Sequence, residues 1–302
     1  MFAVYNRAVI EAAILTAIVA RLVPALTART RPPHALRVDG HALGYFDAAH
    51  LRRLQAFDRV FVRIGDDVAF VRELRTPQAR TEALEGVTRT LAGEGALTAW
   101  RDERYAAAPA FTAAPAFHIE RAAARYFGIH TFAAHANGLV LKDRDAPRVW
   151  LARRSARKPI DPSMLDNLVG GGIPQGEQPD VTLVREAWEE AGIRADVARR
   201  ARRVGELHVE RAVPDGFQRE TLFAYDLALP ASFVPANQDG EAVEHRCVEL
   251  DEAARLISLD EGVDVVTIDA SLVTLDCLLR HGAVPADAPQ RGALEALCRA
   301  GG

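Results

Sequence analysis

The stretch from Gly171 to Ile193 constrains this chain more than any other feature. It reads Gly171-Gly-Ile-Pro-Gln-Gly-Glu177, then seven residues, then Arg185-Glu-Ala-Trp-Glu-Glu-Ala-Gly-Ile193. The pattern predicts a glycine loop over Asn167–Gly172 and a helix over Asp180–Ala191, with Asp180 as N-cap and Gly192 as left-handed terminator. At about 100° per residue, Glu186, Glu189 and Glu190 share an arc of about 100°, while Leu183, Val184, Ala187 and Ala191 share the opposite side. Like charges at i,i+4 cost about 0.2–0.5 kcal/mol per pair, so something must offset the repulsion. A solvated acidic face accounts for a pair of glutamates alone. With the glycine loop, Glu177 and Arg185 at fixed spacing, the arrangement points to a hard divalent cation. Mg²⁺ suits a cluster that leaves positions for substrate phosphate, with Mn²⁺ as the alternative.

The chain has 302 residues, 49% of them hydrophobic and 26% charged, enough for two domains with real cores. Residues 1–116 read as an α+β N-terminal domain. An amphipathic helix over 7–28 opens it, followed by strand-like 36–46 around Asp39-Gly40, a helix over 48–56, a hairpin around Gly65-Asp66-Asp67 and a helix over 81–91. An Ala/Pro-rich stretch, 106–116, reads as a linker. Residues 117–285 form the second domain, with strands over 130–141, 149–154, 203–213, 220–229 and 244–250 and helices near 251–258 and 268–281. A tail, 286–302, carries a short helix. Hairpin signals mixed with helices indicate an α+β sandwich rather than a doubly wound sheet. Gly170-Gly171-Gly172 fits neither the dinucleotide fingerprint nor the P-loop.

Net charge is −4, so no nucleic-acid partner is expected. Cys247, Cys277 and Cys298 are widely spaced and odd in number, which excludes a disulfide scaffold and fits a reducing cytosol. The most apolar stretch, 12–20, is far shorter than the roughly 20 residues of a membrane span, and Glu11 argues against a signal peptide. The expectation is a soluble, cytoplasmic protein without a membrane partner. His130, His135, His208 and His245 show no metal spacing.

The full pattern, G-x5-E-x7-R-E-(apolar)-x-E-E-x-G-(apolar), resembles the Nudix box, with every defined position filled. The resemblance implies a Nudix α/β/α sandwich with a mixed sheet, preceded by the smaller α+β domain, and hydrolysis of a small-molecule diphosphate. It also implies that Glu186, Glu189 and Glu190 hold the metal with the Gly171 carbonyl, while Arg185 and Glu177 pair to fix the loop on the helix. Glu120–Ile129, His135-Ala-Asn-Gly138, Arg153-Arg-Ser155 with Lys158, Met164–Asn167, Asp239-Gly-Glu241 and Leu279-Arg-His-Gly282, together with Thr81–Glu85 and Trp100-Arg101, are similar to a subfamily related to thiamine pyrophosphokinase-like proteins. Its members are diphosphatases of oxidised thiamine diphosphates, and an N-terminal domain precedes their Nudix domain. Dimers are common among such proteins, so a homodimer is one arrangement the resemblance allows.

A general base must accept the proton of the attacking water. Candidates are Glu186 itself, Glu241 in a downstream loop, and Glu244 three residues on. Strand alternation puts Arg153 and Arg154 on opposite faces, so one of them points to the functional side. Lys158, one of only two lysines, is a candidate for the terminal phosphate. Trp100, Tyr105 and Phe117 are candidates for stacking on an organic ring, against core packing as the ordinary role. A Nudix-type isomerase needs a cysteine ahead of the box, and none precedes residue 171. The alternatives are a nucleoside diphosphate substrate resembling ADP-ribose and, in a different class, a non-catalytic ligand-binding module. Such modules tend to lose box glutamates, and this chain keeps all of them.

Overall fold

The structure, a computed structural model, describes residues 10–27, 31–141 and 146–299. The first unit begins with strands β1 (His34–Val38) and β2 (His41–Phe46), helix α2 (Ala48–Leu54), and strands β3 (Phe61–Ile64) and β4 (Asp67–Phe70). Helix α3 (Pro77–Gly93) and the hairpin β5 (Arg104–Ala107) and β6 (Phe117–Glu120) complete it. Its four-stranded sheet runs β2-β1-β4-β3, with β1 and β4 parallel and the other pairs antiparallel.

The second unit contains strands β7 (His130–Val140), β8 (Arg148–Arg154), β9 (Leu165–Asn167) and β10 (Val169–Gly172), then helices α4 (Pro179–Ala191) and α5 (Ala195–Ala198). Strands β11 (Arg202–Val213), β12 (Gly216–Ala228) and β13 (Ala242–Glu249) and helices α6 (Leu250–Ile257), α7 (Ile268–Arg280) and α8 (Arg291–Arg299) follow. The sheet runs β11-β12-β7-β8-β13, with β10 on β7 and β9 on β8, and β12 lies parallel to β7 within otherwise antiparallel pairing. One face buries Leu139, Val149, Leu151 and Leu222 under α6, α7 and α8; the other buries Ala134, Leu168 and Phe223 under α4. This is the expected α/β/α sandwich with a mixed sheet.

Four local expectations change. The opening helix, α1 (Ala12–Thr27), does not pack with the first unit: Leu15, Ile18, Leu22 and Leu26 join the core beneath α6, α7 and α8. Conversely, Phe117, Ile119 and Phe127 lie in the first unit's core. The division at 116 therefore falls inside the β5–β6 hairpin, whose pairing of Ala107 with Phe117 sequence spacing does not reveal. The 106–116 stretch is no free linker, because Phe111 packs edge-on to Phe132 and Phe223 at 5.1 and 5.2 Å between ring centroids. The glycine run is not a loop but strand β10, in which Gly171 pairs with Ala134.

The fourth change is the start of α4. Gln178 is the N-cap, without a side-chain bond, and Pro179 opens the helix. A proline's fixed φ favours the first helical position, so the helix begins one residue before Asp180, which falls in the first turn. Gly192 ends the helix at φ 65°, as expected.

Candidate active site

Helix α4 lies against β10, and the glycines let it approach closely. A side chain on Gly171 would overlap the Glu186 carboxylate, and one on Gly172 would overlap the Tyr105 hydroxyl. The Gly170 amide donates to Glu190 Oε2 at 2.8 Å, which draws Glu190 into the interior at 7% exposure. Glu186 is nearly buried and Glu189 is about one-third exposed. Burial raises both Glu186 and Glu190, the latter to about 8 despite Lys158, and repulsion from Glu189 on Glu186 and from Glu186 on Glu190 adds to the rise.

Cations of the protein itself partly neutralise this cluster. Arg185 donates to Glu186 at 2.9 Å, to Glu189 at 3.0 Å and to Glu177 at 3.4 Å, so the expected Arg185–Glu177 contact is present but shared. Thr182 also donates to Glu177, at 2.8 Å. Lys158 Nζ sits 3.5 Å from Glu190 and 2.5 Å from Glu241. Among the described residues, the carboxylates of Glu186, Glu189 and Glu190 do not come within 4.8 Å of one another as a set of three. The donors are nonetheless the hard oxygens a small divalent cation prefers, and two are buried at raised pKa, as like charges are when their counter-charge is incomplete. The residues therefore fit a metal that displaces Arg185.

A cleft of about 280 Å³ opens beside them, lined from the second unit by Gly171, Glu186, Glu189, Lys158, Arg154 and Glu241. The first unit supplies Arg101, Glu103, Tyr105, Arg121 and Arg125 to the opposite rim. Arg121 donates to Glu103 at 2.8 Å and lies over the Tyr105 ring. Arg101 donates to Glu241 at 2.9 Å, bridging the two units across the cleft. Burial raises the Glu241 carboxyl, but hydrogen bonds from Lys158 and Arg101 more than reverse that and bring it to about 2.

Not every candidate arrives. Glu244 pairs with Arg153 and Arg246 and does not line the cleft. Arg153 is also absent from the lining: it binds Glu244, Asp264 and the carbonyls of Ser163 and Val263, tying β8 to β13 and the loop after α6. Its expected contact with substrate is replaced by a structural one, because its strand face turns away from α4. Arg154 reaches the cleft, held by Asp166 at 2.7 Å and by the Ile160 and Asp161 carbonyls. Trp100 lines a separate cavity of about 460 Å³, between the first unit and Pro174–Gln175, that contains none of the α4 glutamates, and Phe117 is fully buried. The residues that sequence spacing could not gather are Arg121 and Arg125 from the turn between β6 and β7, Glu220 from β12 and Asp269 from α7.

Asp226, Cys277 and His281 form a three-residue group whose ligand atoms lie within 4.8 Å of one another. Arg280 donates to both Asp226 oxygens, so this is an ion network rather than a vacant metal site. Among the described residues no helix is long and apolar enough to cross a membrane.

Residues 132–267 match the family described as NUDIX domain, and residues 23–131 match a domain of unknown function (DUF4743). Nudix hydrolase 24, chloroplastic, of Arabidopsis thaliana is 36% identical over 255 residues, covering 83% of this chain and 68% of that protein. Nudix hydrolase 20, chloroplastic, of the same plant is also 36% identical, covering 81% and 67% respectively. The likeness to solved structures is looser: the NUDIX domain of Shewanella oneidensis NrtR complexed with ADP ribose has a TM-score of 0.40 at 13% identity, covering 51% of this chain and 90% of that one. Matched by two relatives across four fifths of its length, with its glutamate helix seated on the glycine strand, the chain belongs to the Nudix hydrolases, enzymes that cleave pyrophosphate bonds and generally use divalent metal cations.

Proposed function

We propose that this protein is a Mg²⁺-dependent diphosphatase that removes the terminal phosphate of a compact organic diphosphate, with thiamine diphosphate derivatives as the substrate class. The carrying observation is the cleft itself, with buried α4 carboxylates on one side and Lys158, Arg101 and Arg121 facing them across a small volume. About 280 Å³ is at the low end of ligand clefts, which favours a small organic group over a dinucleotide-sized one.

Glu186, Glu189, Glu190 and the Gly171 carbonyl would hold the cation. Bound there, it would offset phosphate charge and acidify a coordinated water. Lys158 and Arg101 bind the non-bridging oxygens as they leave Glu241, and Arg154 shapes the floor from its fixed position. Water oxygen attacks the terminal phosphorus, the bridging P–O bond breaks, and the organic monophosphate leaves with the electron pair. The water proton goes to a carboxylate. Glu241 serves once Lys158 and Arg101 have turned to the substrate, since their hydrogen bonds are what hold it at about 2.

The test is a phosphate-release assay with Mg²⁺ or Mn²⁺ on thiamine diphosphate and its oxidised derivatives, run beside ADP-ribose. Release of phosphate with monophosphate from the thiamine compounds supports the reading. Turnover of ADP-ribose alone replaces the substrate, and no release from any diphosphate replaces the hydrolase with a binding module.

A further inference from the structure

The cleft also carries groups that phosphoanhydride cleavage does not use. Glu220 on β12, Asp269 in the first turn of α7, Asp161 in the loop after β8 and His135 on β7 all line it. Gln218, 2% exposed, holds two of them in place: its amide donates to Glu220 at 3.0 Å and to Asp269 Oδ2 at 2.9 Å. The Thr131 hydroxyl adds a bond to Glu220 at 3.2 Å.

One acceptor remains unused. Asp269 Oδ1 is sealed from solvent without a hydrogen-bond partner. His135 is 7% exposed, and its Nδ1 donates to Asn167 Oδ1 at 3.0 Å, which fixes the ring among the groups that line the cleft. A buried polar atom left unpaired costs about 1–3 kcal/mol, so such atoms call for an explanation. The α7 N-terminus accounts for one acidic residue in its first turn. It does not account for two further carboxylates converging there, nor for the histidine.

The charges around these groups are mixed. Burial and the neighbouring Asp269 raise Asp161 and Glu220, against the pull of Arg125 on both and of Arg211 on Asp161. Arg211 donates to Gln218 at 2.8 Å, and Arg125 and Arg154 are the cleft-lining cations that act on Asp161.

We propose that Glu220, Asp269, Asp161 and His135 form the recognition subsite for the substrate's organic group, and that they select a nitrogen heteroaromatic bearing amino N–H donors or positive charge. This rests on the diphosphatase reading of the cleft. The carboxylates reward a donor-rich ring by charge-assisted hydrogen bonds, whereas an alkyl group would leave Asp269 Oδ1 buried and unpaired.

The test compares kcat/KM, with Mg²⁺, for thiamine diphosphate and for methyl diphosphate, which has the same anhydride and no ring. The wild type is expected to prefer thiamine diphosphate by about a hundredfold or more. In Asp269→Asn, and in Glu220→Gln should the first variant fail to fold, the preference falls at least about tenfold, chiefly through KM. Equal kcat/KM for the two substrates in the wild type, or a parallel loss on both in the variants, overturns the subsite while leaving the diphosphatase intact. If neither substrate is hydrolysed, calorimetric titration with thiamine decides separately. Saturable binding that weakens about tenfold in Asp269→Asn upholds the subsite and faults only the hydrolytic reading, and no saturable binding overturns the subsite.

Discussion

At the residue scale the site depends on the absence of one side chain and the burial of another. Gly171 leaves room for the Glu186 carboxylate against the strand backbone, space that even a methyl group would fill. Gly171→Ala is therefore expected to push Glu186 aside and lower kcat by about two orders of magnitude, while the melting temperature changes little; a steady-state assay beside a thermal melt checks it. Glu190 is a buried carboxylate repelled by Glu186, a feature that costs stability and is kept for function. In Glu190→Gln, turnover is expected to fall by about two to three orders of magnitude while the metal-free melting temperature does not fall. A variant that melts early, or that retains turnover, would show that Glu190 is a structural acid. These glutamates were legible in the sequence because helical periodicity alone puts them on one face. Their pairing with Arg185 and Lys158 was half legible: Arg185 is local, whereas Lys158 lies far away in the chain.

At the element scale, α4 shows where local rules hold and where they are overridden. Gly192 occupies the left-handed region that ends the helix, and a side chain there would also meet the Ala236 carbonyl at 2.8 Å. Gly192→Ala is expected to cost about 1–2 kcal/mol from backbone conformation alone, read as a shift in denaturant midpoint at unchanged slope. Across the sheet, Asp226 on β12 is locked to Arg280 and His281 at the end of α7. Burial opposes its charge, but hydrogen bonds from His281 and Arg280 hold its carboxyl well below the usual carboxylate range. A carboxyl depressed in the folded state contributes stability above its unfolded pKa of about 3.9, and that contribution is lost as pH falls below it. The acid limb of the melting-temperature profile is thus expected to be flatter in Asp226→Asn than in the wild type. Strand β10 was not legible as a strand, because three glycines read as a loop until β7 supplies the pairing partner.

At the scale of the whole molecule, the two units are interleaved rather than joined end to end. Helix α1 precedes the first unit in sequence yet packs in the second, where Ile18 and Leu22 are fully buried. Leu22→Ala is expected to destabilise the protein by about 2–5 kcal/mol and to expose the α6–α7–α8 layer in hydrogen exchange, leaving α3 and the four-stranded sheet protected. Uniform loss of protection across both units would show instead that they unfold as one. Arg101 carries the other link, from the first unit to Glu241 across the cleft mouth.

The sequence by itself determined the chemistry and the fold class: the glycine–glutamate spacing names the glutamate helix of a Nudix hydrolase, and hairpin signals mixed with helices name the sandwich. Those are local periodicities, readable wherever one element carries the whole signal. Only the tertiary structure decided that Arg153 and Glu244 stay out of the cleft, that the first unit lines it with Arg101, Arg121 and Arg125, and that Glu220, Asp269 and His135 converge in it. Those residues come from strands and helices far apart in the chain, and their meeting is set by strand pairing and core packing, which composition and spacing do not encode residue by residue.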